Sequence, residues 1–301
     1  MSERPILVTG ATGNVGAAVL EKLTAAGVPF RAAAGSAAGL AGLAGLADLG
    51  DDASLQQRGI SPVVLDFTDP ATWTQAYDGV ERMFLLRPPH LGRPRTQMLP
   101  SLEAAKVAGV RHVVLLSLQG AEGNRFVPHA ALESWLRESG LSWTFVRASF
   151  FMQNLTTTHL TDIRDRDEIT VPAGRGATAF VDAVDVGAVA AAALLDPERH
   201  RHRAWTPTGP EALTYDEIAQ TLTHTLGRTI RYSDPNPLRY ARHARRNLTM
   251  PWGMVVVTTA IYTVARLGKA GQLTDDVHQV TGRDPTSFED FAIRHASLWR
   301  P

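Results

Sequence analysis

The chain predicts an α/β fold, with a doubly wound parallel sheet and a smaller, mostly helical C-terminal lobe. Apolar runs alternate with helical segments over the first half, as in a parallel sheet covered on both faces. The first apolar run leads directly into a glycine-rich turn, and the pattern becomes mostly helical after about residue 150. A length of 301 residues suits one large α/β domain with an attached lobe.

The first half predicts six strands, near 5–9, 29–34, 61–66, 82–87, 111–117 and 142–147. Helices are predicted between them, near 14–26, 70–78, 98–109 and 129–139. Right-handed crossovers bring the carboxyl ends of such strands to one edge, where ligands bind. The Ala-Gly-Leu tract 35–50 predicts a loose helix or a loop, since each glycine costs about 1 kcal/mol in a helix interior.

The second half predicts a short strand at Phe180–Asp182 and a helix at Asp185–Leu195 opened by an acidic N-cap. Another helix, Thr214–Leu226, begins with a capping box formed by Thr214 and Glu217. Further helices are predicted at 237–247, 252–267, 273–280 and 286–297. The first domain is expected to span 1–150, with its sheet completed by strands near 178–182 and 203–207, and the lobe to span 151–301.

Composition excludes several classes of function. Thirty basic and thirty acidic residues balance at a pI of about 7.2, so no overall field gathers nucleic acid or an anionic membrane. The arginines within 239–246 are interpreted as a solvated helix face. Cysteine is absent, which excludes disulfides, thiolate catalysis and Cys-ligated zinc.

The location expected from the sequence is cytoplasmic. Met-Ser-Glu-Arg-Pro runs straight into the first strand and leaves no room for a signal peptide. The longest apolar stretch, 254–265, falls short of the roughly 20 residues that span a bilayer. We therefore expect no membrane partner and no nucleic-acid partner. The apolar helix 252–267 indicates either a pocket wall or a dimer interface, so a homodimer is also considered.

The glycine turn predicts an anion site. Gly10, Gly13 and Gly16 follow a buried-strand run and precede an amphipathic helix, which is the context that a dinucleotide-binding turn requires. Gly10 allows the tight turn, Gly13 the approach of a ligand, and Gly16 the close packing of helix on strand. Unpaired N–H groups and the helix dipole favour a diphosphate there. An ordinary glycine turn is the alternative.

The chain resembles the NmrA-like, atypical short-chain dehydrogenase/reductases of the quinone-reductase and triphenylmethane-reductase type. The resemblance covers nearly the whole chain, and its short motifs are specific through their order and spacing. They are Val8–Gly16, Asp66–Asp69, Phe84–Pro89, His112–Ser117, His129–Glu133, Phe145–Asn154, Phe180–Asp185 and Thr281–Glu289. It implies a Rossmann fold and a nicotinamide dinucleotide as cofactor.

The resemblance also implies residue roles. The diphosphate would be held by Gly10, Thr12, Gly13, Asn14 and Val15, with Gly16 completing the turn. Asp66 and Phe67 would border the adenine, and Leu86 and Arg87 the adenosine ribose. The nicotinamide would be surrounded by Ser117, His129 and the loop Phe150–Asn154, with Phe151, Met152 and Asn154 toward the substrate. Asp66 as a turn residue, and Phe151 and Met152 as core residues, remain alternatives.

The chain departs from an ordinary short-chain dehydrogenase. That enzyme needs Tyr-x-x-x-Lys, and the residues four positions before Lys22, Lys106 and Lys269 are Ala18, Leu102 and Ala265. His129 stands where relatives often have lysine, and Glu133 shares its helix face. His129 and Ser117 are the catalytic candidates. An unperturbed histidine pKa near 6.5 suits His129 as a proton donor. A helix-surface histidine paired with a carboxylate, and a strand-end hydroxyl, are the alternatives.

Cofactor choice is predicted to favour NADP slightly over NAD. Arg31 lies in the second strand and Ser36 follows it, and both suit a 2′-phosphate. Gly35 occupies the position where NADP-selective relatives have a second arginine. No acidic residue follows the strand, as a clamp on the ribose of NAD would require.

The function predicted is an NAD(P)H-dependent reductase that transfers a hydride to a small conjugated acceptor of quinone, azo, imine or enone type. Such acceptors spread charge over a π-system, so loss of the Tyr/Lys pair matters less than for ketones. A non-catalytic dinucleotide sensor and a biosynthetic tailoring enzyme are the alternatives. No metal site is predicted, since His200 and His202 have no carboxylate between them.

Overall fold

The computed structural model describes residues 4–36, 38–39 and 60–300. Most of the tract 35–50 lies outside these ranges. The chain divides into two compact units, which are described separately. The first unit comprises the described residues of Met1–Ala148 together with Ala183–Pro207, and the second comprises Ser149–Asp182 and Thr208–Pro301.

The first unit is built on a parallel sheet. Among the described residues it has seven strands in the order β10-β6-β5-β4-β1-β2-β3, and every neighbouring pair is parallel. The strands are β1 Ile6–Thr9, β2 Phe30–Ala34, β3 Ile60–Val64, β4 Arg82–Leu85, β5 His112–Leu118, β6 Ser142–Ala148 and β10 Arg203–Trp205. The doubly wound prediction is confirmed. Parallel pairing places the carboxyl ends of β1, β4 and β5 at one edge.

Helices connect these strands. They are α1 Asn14–Ala25, α2 Trp73–Tyr77, α3 Pro94–Gln97, α4 Leu99–Ala108, α5 Pro128–Glu138, α7 Ala183–Leu195 and α8 Pro197–His200. Short 3₁₀ turns lie at Pro70–Thr72 and Ala121–Gly123. Helix α7 begins at Ala183, so Asp185 lies in its first turn and is not the N-cap that the sequence predicted.

Helix α7 packs on α1 at very short range. A Cβ built on Gly187 would lie 2.5 Å from the Cβ of Ala18 and 3.2 Å from the carbonyl oxygen of Val15. Because real Cβ atoms do not approach so closely, only glycine fits between the two helices. The later segment 183–207 therefore completes the first unit, both as a helix layer and as the edge strand β10.

The second unit contains two small sheets among its described residues. Strands β7 Phe150–Phe151, β9 Thr178–Val181 and β11 Ala212–Leu213 form one sheet, and β8 Glu168–Thr170 pairs with β12 Arg231–Ser233 in the other. The strand expected near 178–182 is present, but it joins β7 and β11 and does not complete the large sheet. The strand expected near 203–207 does join that sheet, beside β6.

The second unit is otherwise helical. Its helices are α6 Leu160–Arg166, α9 Tyr215–Leu226, α10 Pro237–Arg246, α11 Trp252–Arg266, α12 Asp276–Thr281 and α13 Phe288–His295. Short 3₁₀ turns lie at Met152–Leu155 and Ala296–Trp299. Thr214 and Glu217 form the predicted capping box at the start of α9. In the described ranges no helix is both long enough and apolar enough to cross a membrane.

Candidate functional site

The glycine turn closes tightly between β1 and α1. Gly10 has φ +65°, in the left-handed region that favours glycine, and its carbonyl oxygen accepts a 2.9 Å hydrogen bond from the N–H of Gly13. A Cβ built on Gly16 would lie 2.1 Å from that same carbonyl oxygen. Any side chain at position 16 would therefore push α1 away from the turn.

The start of α1 has no side-chain cap. Gly13 is the N-cap residue, the described residues supply no side-chain cap hydrogen bond, and no acidic residue stands in the first turn. Thr12, Gly13 and Asn14 are exposed, whereas Val15 is buried. Uncapped N–H groups at the positive end of a helix dipole are suited to an anion such as a diphosphate.

The end of β4 is joined to the end of β1 by Thr9. Its hydroxyl donates to the carbonyl oxygen of Phe84 at 3.0 Å and accepts from the N–H of Leu86 at 2.8 Å. The Leu86 side chain consequently lies against Gly10, where a Cβ would be 2.9 Å from its Cδ1. Leu86 is thus held directly beside the glycine turn, and its place at the ribose stays a prediction.

Arg87 folds back over its own loop. Its Nη1 donates to the carbonyl oxygens of Pro88, Pro89 and Leu91 at 2.9, 3.2 and 3.1 Å. Burial lowers the pKa of the guanidinium. Its Nε is buried and has no hydrogen-bond partner among the described residues. A buried cationic donor without a protein partner is one that a bound ligand can satisfy.

Asp66 and Phe67 follow β3. The Asp66 Oδ1 accepts from the N–H and the hydroxyl of Thr68 at 2.8 and 2.7 Å, so this carboxylate stabilises a turn. Phe67 is 5% exposed and packs in the core of the first unit. These contacts are the ones expected from the turn alternative, and the adenine role stays a prediction.

Arg31 points its Nη1 to the end of α2. It donates to the carbonyl oxygens of Gln75, Ala76 and Asp78 at 3.1, 3.3 and 2.6 Å. The Ser36 hydroxyl accepts from the N–H of Gly39 at 3.2 Å. Arg31 therefore already stabilises a helix C-terminus, where a cation is favoured.

Ser117 belongs to a buried ionic network. Its hydroxyl donates to Glu133 Oε1 at 2.7 Å, and the Glu133 side chain is 1% exposed. Arg147 donates to both oxygens of Glu133, from Nε at 3.0 Å and from Nη2 at 2.7 Å. Arg137, one helical turn beyond Glu133, adds a third cationic donor at 2.9 Å. The carboxylate is thus saturated with donors.

This network keeps Glu133 ionised and directs the proton of Ser117 toward it. Burial opposes ionisation of Glu133, but hydrogen bonds from Arg147 and Ser117 outweigh it and hold the pKa below its ordinary value. The proton of Ser117 is consequently committed to an ionised carboxylate. Sequence reasoning missed Arg147, although an arginine within the apolar strand β6 signals a buried acidic partner.

His129 lies in the first turn of α5, one turn before Glu133. Burial and the charge of Arg87 lower its pKa to about 4, against a smaller opposite effect of Glu133. The ring is therefore neutral at neutral pH, and the proton-donor role that rested on an unperturbed pKa is not supported. Its Nδ1 is buried with no partner among the described residues, which suits hydrogen bonding to a ligand.

The remaining predicted residues lie in the second unit. The Phe150 and Phe180 rings meet edge to face at 6.4 Å, and Phe150 and Phe151 are half-buried. Met152 is 1% exposed and packs in the core of that unit, whereas Asn154 is exposed. The other candidates lie in the first unit, and the roles of all the predicted site residues stay predictions.

Comparisons with known proteins agree with this geometry. The chain matches the NmrA-like family over residues 2–281. It is 34% identical to an NAD(P)H azoreductase of Xenophilus azovorans, covering 98% of this chain and 99% of that protein. It is 32% identical to a (4-alkanoyl-5-oxo-2,5-dihydrofuran-3-yl)methyl phosphate reductase of Streptomyces griseus, with 98% and 99% covered.

A solved structure shows the same fold. The NADPH-dependent quinone oxidoreductase of Escherichia coli, complexed with NADPH, superposes with a TM-score of 0.83. The match covers 97% of this chain and 99% of that one, at 24% sequence identity.

Proposed function

We propose that this chain, which belongs to the NmrA-like family, is an NAD(P)H-dependent reductase of small, conjugated, apolar acceptors. The observation that carries the proposal is the uncapped start of α1 behind Gly10, Gly13 and Gly16. A diphosphate is the ligand whose charge and size this turn suits. The names of its reductase relatives support the same conclusion.

The residues present fit a nicotinamide dinucleotide. Thr12 and Asn14 are exposed at the turn, and no acidic side chain there opposes a diphosphate. Arg87 Nε is a buried donor and His129 Nδ1 a buried donor or acceptor, and neither has a partner in the described ranges; the Arg87 charge acts on His129. Two orphaned polar atoms in one region are expected where a polar ligand completes the site.

When bound, the dihydronicotinamide supplies a hydride. The chain's residues would bind and orient it. Ser117 has its proton directed at Glu133, so toward a ligand its oxygen accepts hydrogen bonds, for example from a carboxamide N–H. Neutral His129 would either donate or accept one hydrogen bond through Nδ1, according to its tautomer.

The charge states favour conjugated acceptors over ketones. Reduction of a ketone needs an acid near the developing alkoxide. Ser117 is committed to Glu133, and the pKa of about 4 leaves His129 neutral. Quinones, azo compounds, imines and enones spread the developing charge and take the proton from water. The two relatives named for azo and unsaturated furanone substrates support this class.

The test is a steady-state assay of NADPH and NADH oxidation with a quinone, an azo dye, an imine, an enone and a simple ketone. We expect turnover with at least one conjugated acceptor and none with the ketone. Gly13→Val should reduce cofactor affinity by more than tenfold, because a Cβ at position 13 lies only 3.3 Å from the carbonyl oxygen of Gly10 and a valine there would distort the turn that presents the N–H groups. Gly123→Ala is the matched control, since a Cβ there has open space. Absence of turnover with the whole panel would overturn the proposal.

The geometry also accommodates a non-catalytic sensor of dinucleotide redox state. The specific observation is that neither Ser117 nor His129 offers an acidic proton at neutral pH. A sensor would bind oxidised and reduced cofactor with no turnover of any acceptor. The same assay combined with calorimetric titration of both cofactor forms separates the two functions.

A slight preference for NADP over NAD is the finer proposal. Arg31 and Ser36 support it, together with the absence of acidic residues in 30–36. Since Arg31 Nη1 already binds three carbonyl groups, we expect Arg31→Leu to weaken NADPH binding only about two- to fivefold and NADH binding less. Equal or reversed affinities of the unmodified protein for NADPH and NADH would contradict the preference. A homodimer stays a prediction.

A further inference from the structure

The second unit contains a segment with strongly segregated charge. Between Asp234 and Asp275 the chain has no acidic residue, although basic and acidic residues balance overall, 30 against 30. The basic residues of this segment are Arg239, Arg242, Arg245, Arg246, Arg266 and Lys269. The prediction of no membrane partner rested on the net charge of the whole chain. A net charge does not show that basic residues are concentrated in one segment.

Helix α11 within this segment presents an uncharged, exposed apolar face. No charged residue occurs from Trp252 to Ala265. Only Val255, Tyr262 and Ala265 of the helix are buried. Large apolar side chains are exposed along the rest, including Trp252 at 63% and Val256 at 66%. The other exposed members are Met254, Val257, Ile261 and Val264, and Leu267 follows the helix.

The cationic helix α10 lies against α11. The Tyr240 hydroxyl donates to Thr258 Oγ1 at 3.0 Å, and the rings of Tyr240 and Tyr262 meet at 5.6 Å. The Arg245 guanidinium lies 5.4 Å from the centre of the Trp252 ring. Basic and apolar side chains of the two helices therefore form one continuous surface, which we call the α10–α11 surface.

Most charges of this surface are free to meet an outside anion. Arg266 is paired with Asp234 at 2.5 Å. The described part of the chain supplies no carboxylate partner to Arg239, Arg242 or Arg246. These three arginines, with His243 and Asn247, line a groove of about 300 Å³. Such a groove suits a phosphate group, which guanidinium donors recognise.

We propose that the α10–α11 surface docks on the surface of an anionic lipid membrane. The apolar face of α11 would enter the boundary between headgroups and acyl chains, with Trp252 at the level where indole rings are favoured. The arginines of α10 would bind lipid phosphates, each worth about fivefold in affinity. The inference is independent of the proposed reductase activity.

Charge complementarity favours this occupant over a second copy of the chain. Two copies joined through α11 would bring two segments without acidic residues together, with Arg245 of α10 beside Trp252 at one end of each α11 helix and Arg266 at the other. Like charges facing each other across an interface oppose association. An anionic bilayer matches both features, because it offers phosphates and an apolar layer together.

The test is cosedimentation of the full chain with vesicles of phosphatidylcholine alone or mixed with phosphatidylglycerol. We expect binding that rises with the anionic fraction and falls at high salt. Arg239→Glu combined with Arg242→Glu should weaken it by at least tenfold, and so should Val257→Gln combined with Ile261→Gln. All four side chains are exposed, so the fold should persist, which circular dichroism checks.

The matched controls are Arg125→Glu and Val107→Gln, exposed positions in the first unit, which should bind vesicles like the unmodified chain. Absence of binding at every anionic fraction would overturn the proposal, and so would binding that both double variants leave unchanged. A dimer in sedimentation velocity that Val257→Gln with Ile261→Gln dissociates, without vesicle binding, would assign the face to a second copy instead. Capture of an acidic protein without vesicle binding would likewise overturn it.

Discussion

Glu133 in the first unit and Asp162 in the second are both fully buried carboxylates held by arginine, yet they serve different ends. Glu133 takes its donors from Ser117 and from Arg147, which is 11% exposed. Asp162 is bonded to Arg166, which is 38% exposed, and to His243. Glu133 controls a hydroxyl at the carboxyl end of β5, where a ligand is expected. Asp162 joins α6 to α10 inside the second unit. Position in the fold, and not the ion pair itself, distinguishes a candidate site from a structural tie.

The largest expected effect is on the free energy of unfolding, when each of the two carboxylates is replaced by its amide. Glu133→Gln removes the buried anion that neutralises Arg147, which keeps only the exposed Glu122 at 3.2 Å, and should lower the free energy of unfolding by about 3–5 kcal/mol. Asp162→Asn should cost less, about 1–2 kcal/mol, because Arg166 can turn toward solvent. Urea denaturation of the two variants beside the unmodified chain measures both. Equal losses would show that the exposure of the partner does not matter here.

The second prediction concerns acid. Burial lowers the pKa of His129 in the first unit and of His159 in the second to about 4, from an ordinary 6.5. Between these values the unfolded chain binds more protons, so stability should fall as pH decreases from about 6.5 to about 4. Each ring should account for a loss on the order of 2–3 kcal/mol.

His129→Gln and His159→Gln should each flatten this pH dependence in urea denaturation series. The exposed His90→Gln provides the control, and its profile should match that of the unmodified chain. An unchanged slope in His159→Gln would mean that this buried ring does not titrate as its surroundings indicate.

A smaller effect is expected at Ser117. Ser117→Ala removes one hydrogen bond to an ionised carboxylate that keeps both arginines, so the loss should be about 1.5 kcal/mol. Ser134→Ala is the matched control, because the Ser134 hydroxyl donates to Glu138 at 3.1 Å in a solvent-exposed contact on α5, the helix that carries Glu133. Its effect on thermal unfolding should stay within about 0.5 kcal/mol. Similar losses in both variants would contradict the special status of the buried contact.

The smallest effect is expected at Arg137. Its side chain is 43% exposed, so its ion pair with Glu133 is screened by water. Arg137→Ala should lower the free energy of unfolding by less than about 1 kcal/mol, whereas Arg147→Ala should cost several times more. Thermal and urea unfolding measure the difference. Comparable losses would show that both arginines contribute equally to the network.

Sequence reasoning identified the elements whose signal is local. The strand run Ile6–Thr9, the glycine turn and the capping box of Thr214 and Glu217 each carry their signal within a few residues. The pairing of β9 with β7 and β11 was not predictable, since strands of two to four residues show no periodicity that specifies a partner. The role of Arg147 was not predictable for a similar reason, because only the register of β6 beside β5 brings it to Glu133.

The charge state of His129 also lay beyond the sequence. Its pKa depends on burial and on Arg87, which is 42 positions earlier by residue number and joins it only in the fold. Local patterns therefore predicted the glycine turn and named the candidate residues around it. They did not predict which of them remain able to give up a proton, because that depends on tertiary contacts.

The close packing of Gly187 against Ala18 has a consequence for folding during synthesis on the ribosome. A nascent chain that has emerged only to Ala148 lacks α7 and β10, so one flank of α1 stays open to water. The first unit cannot complete its core until some sixty further residues have been synthesised. Chaperones would meet that open flank during the delay, and a protein cut after the sixth strand would inherit it permanently.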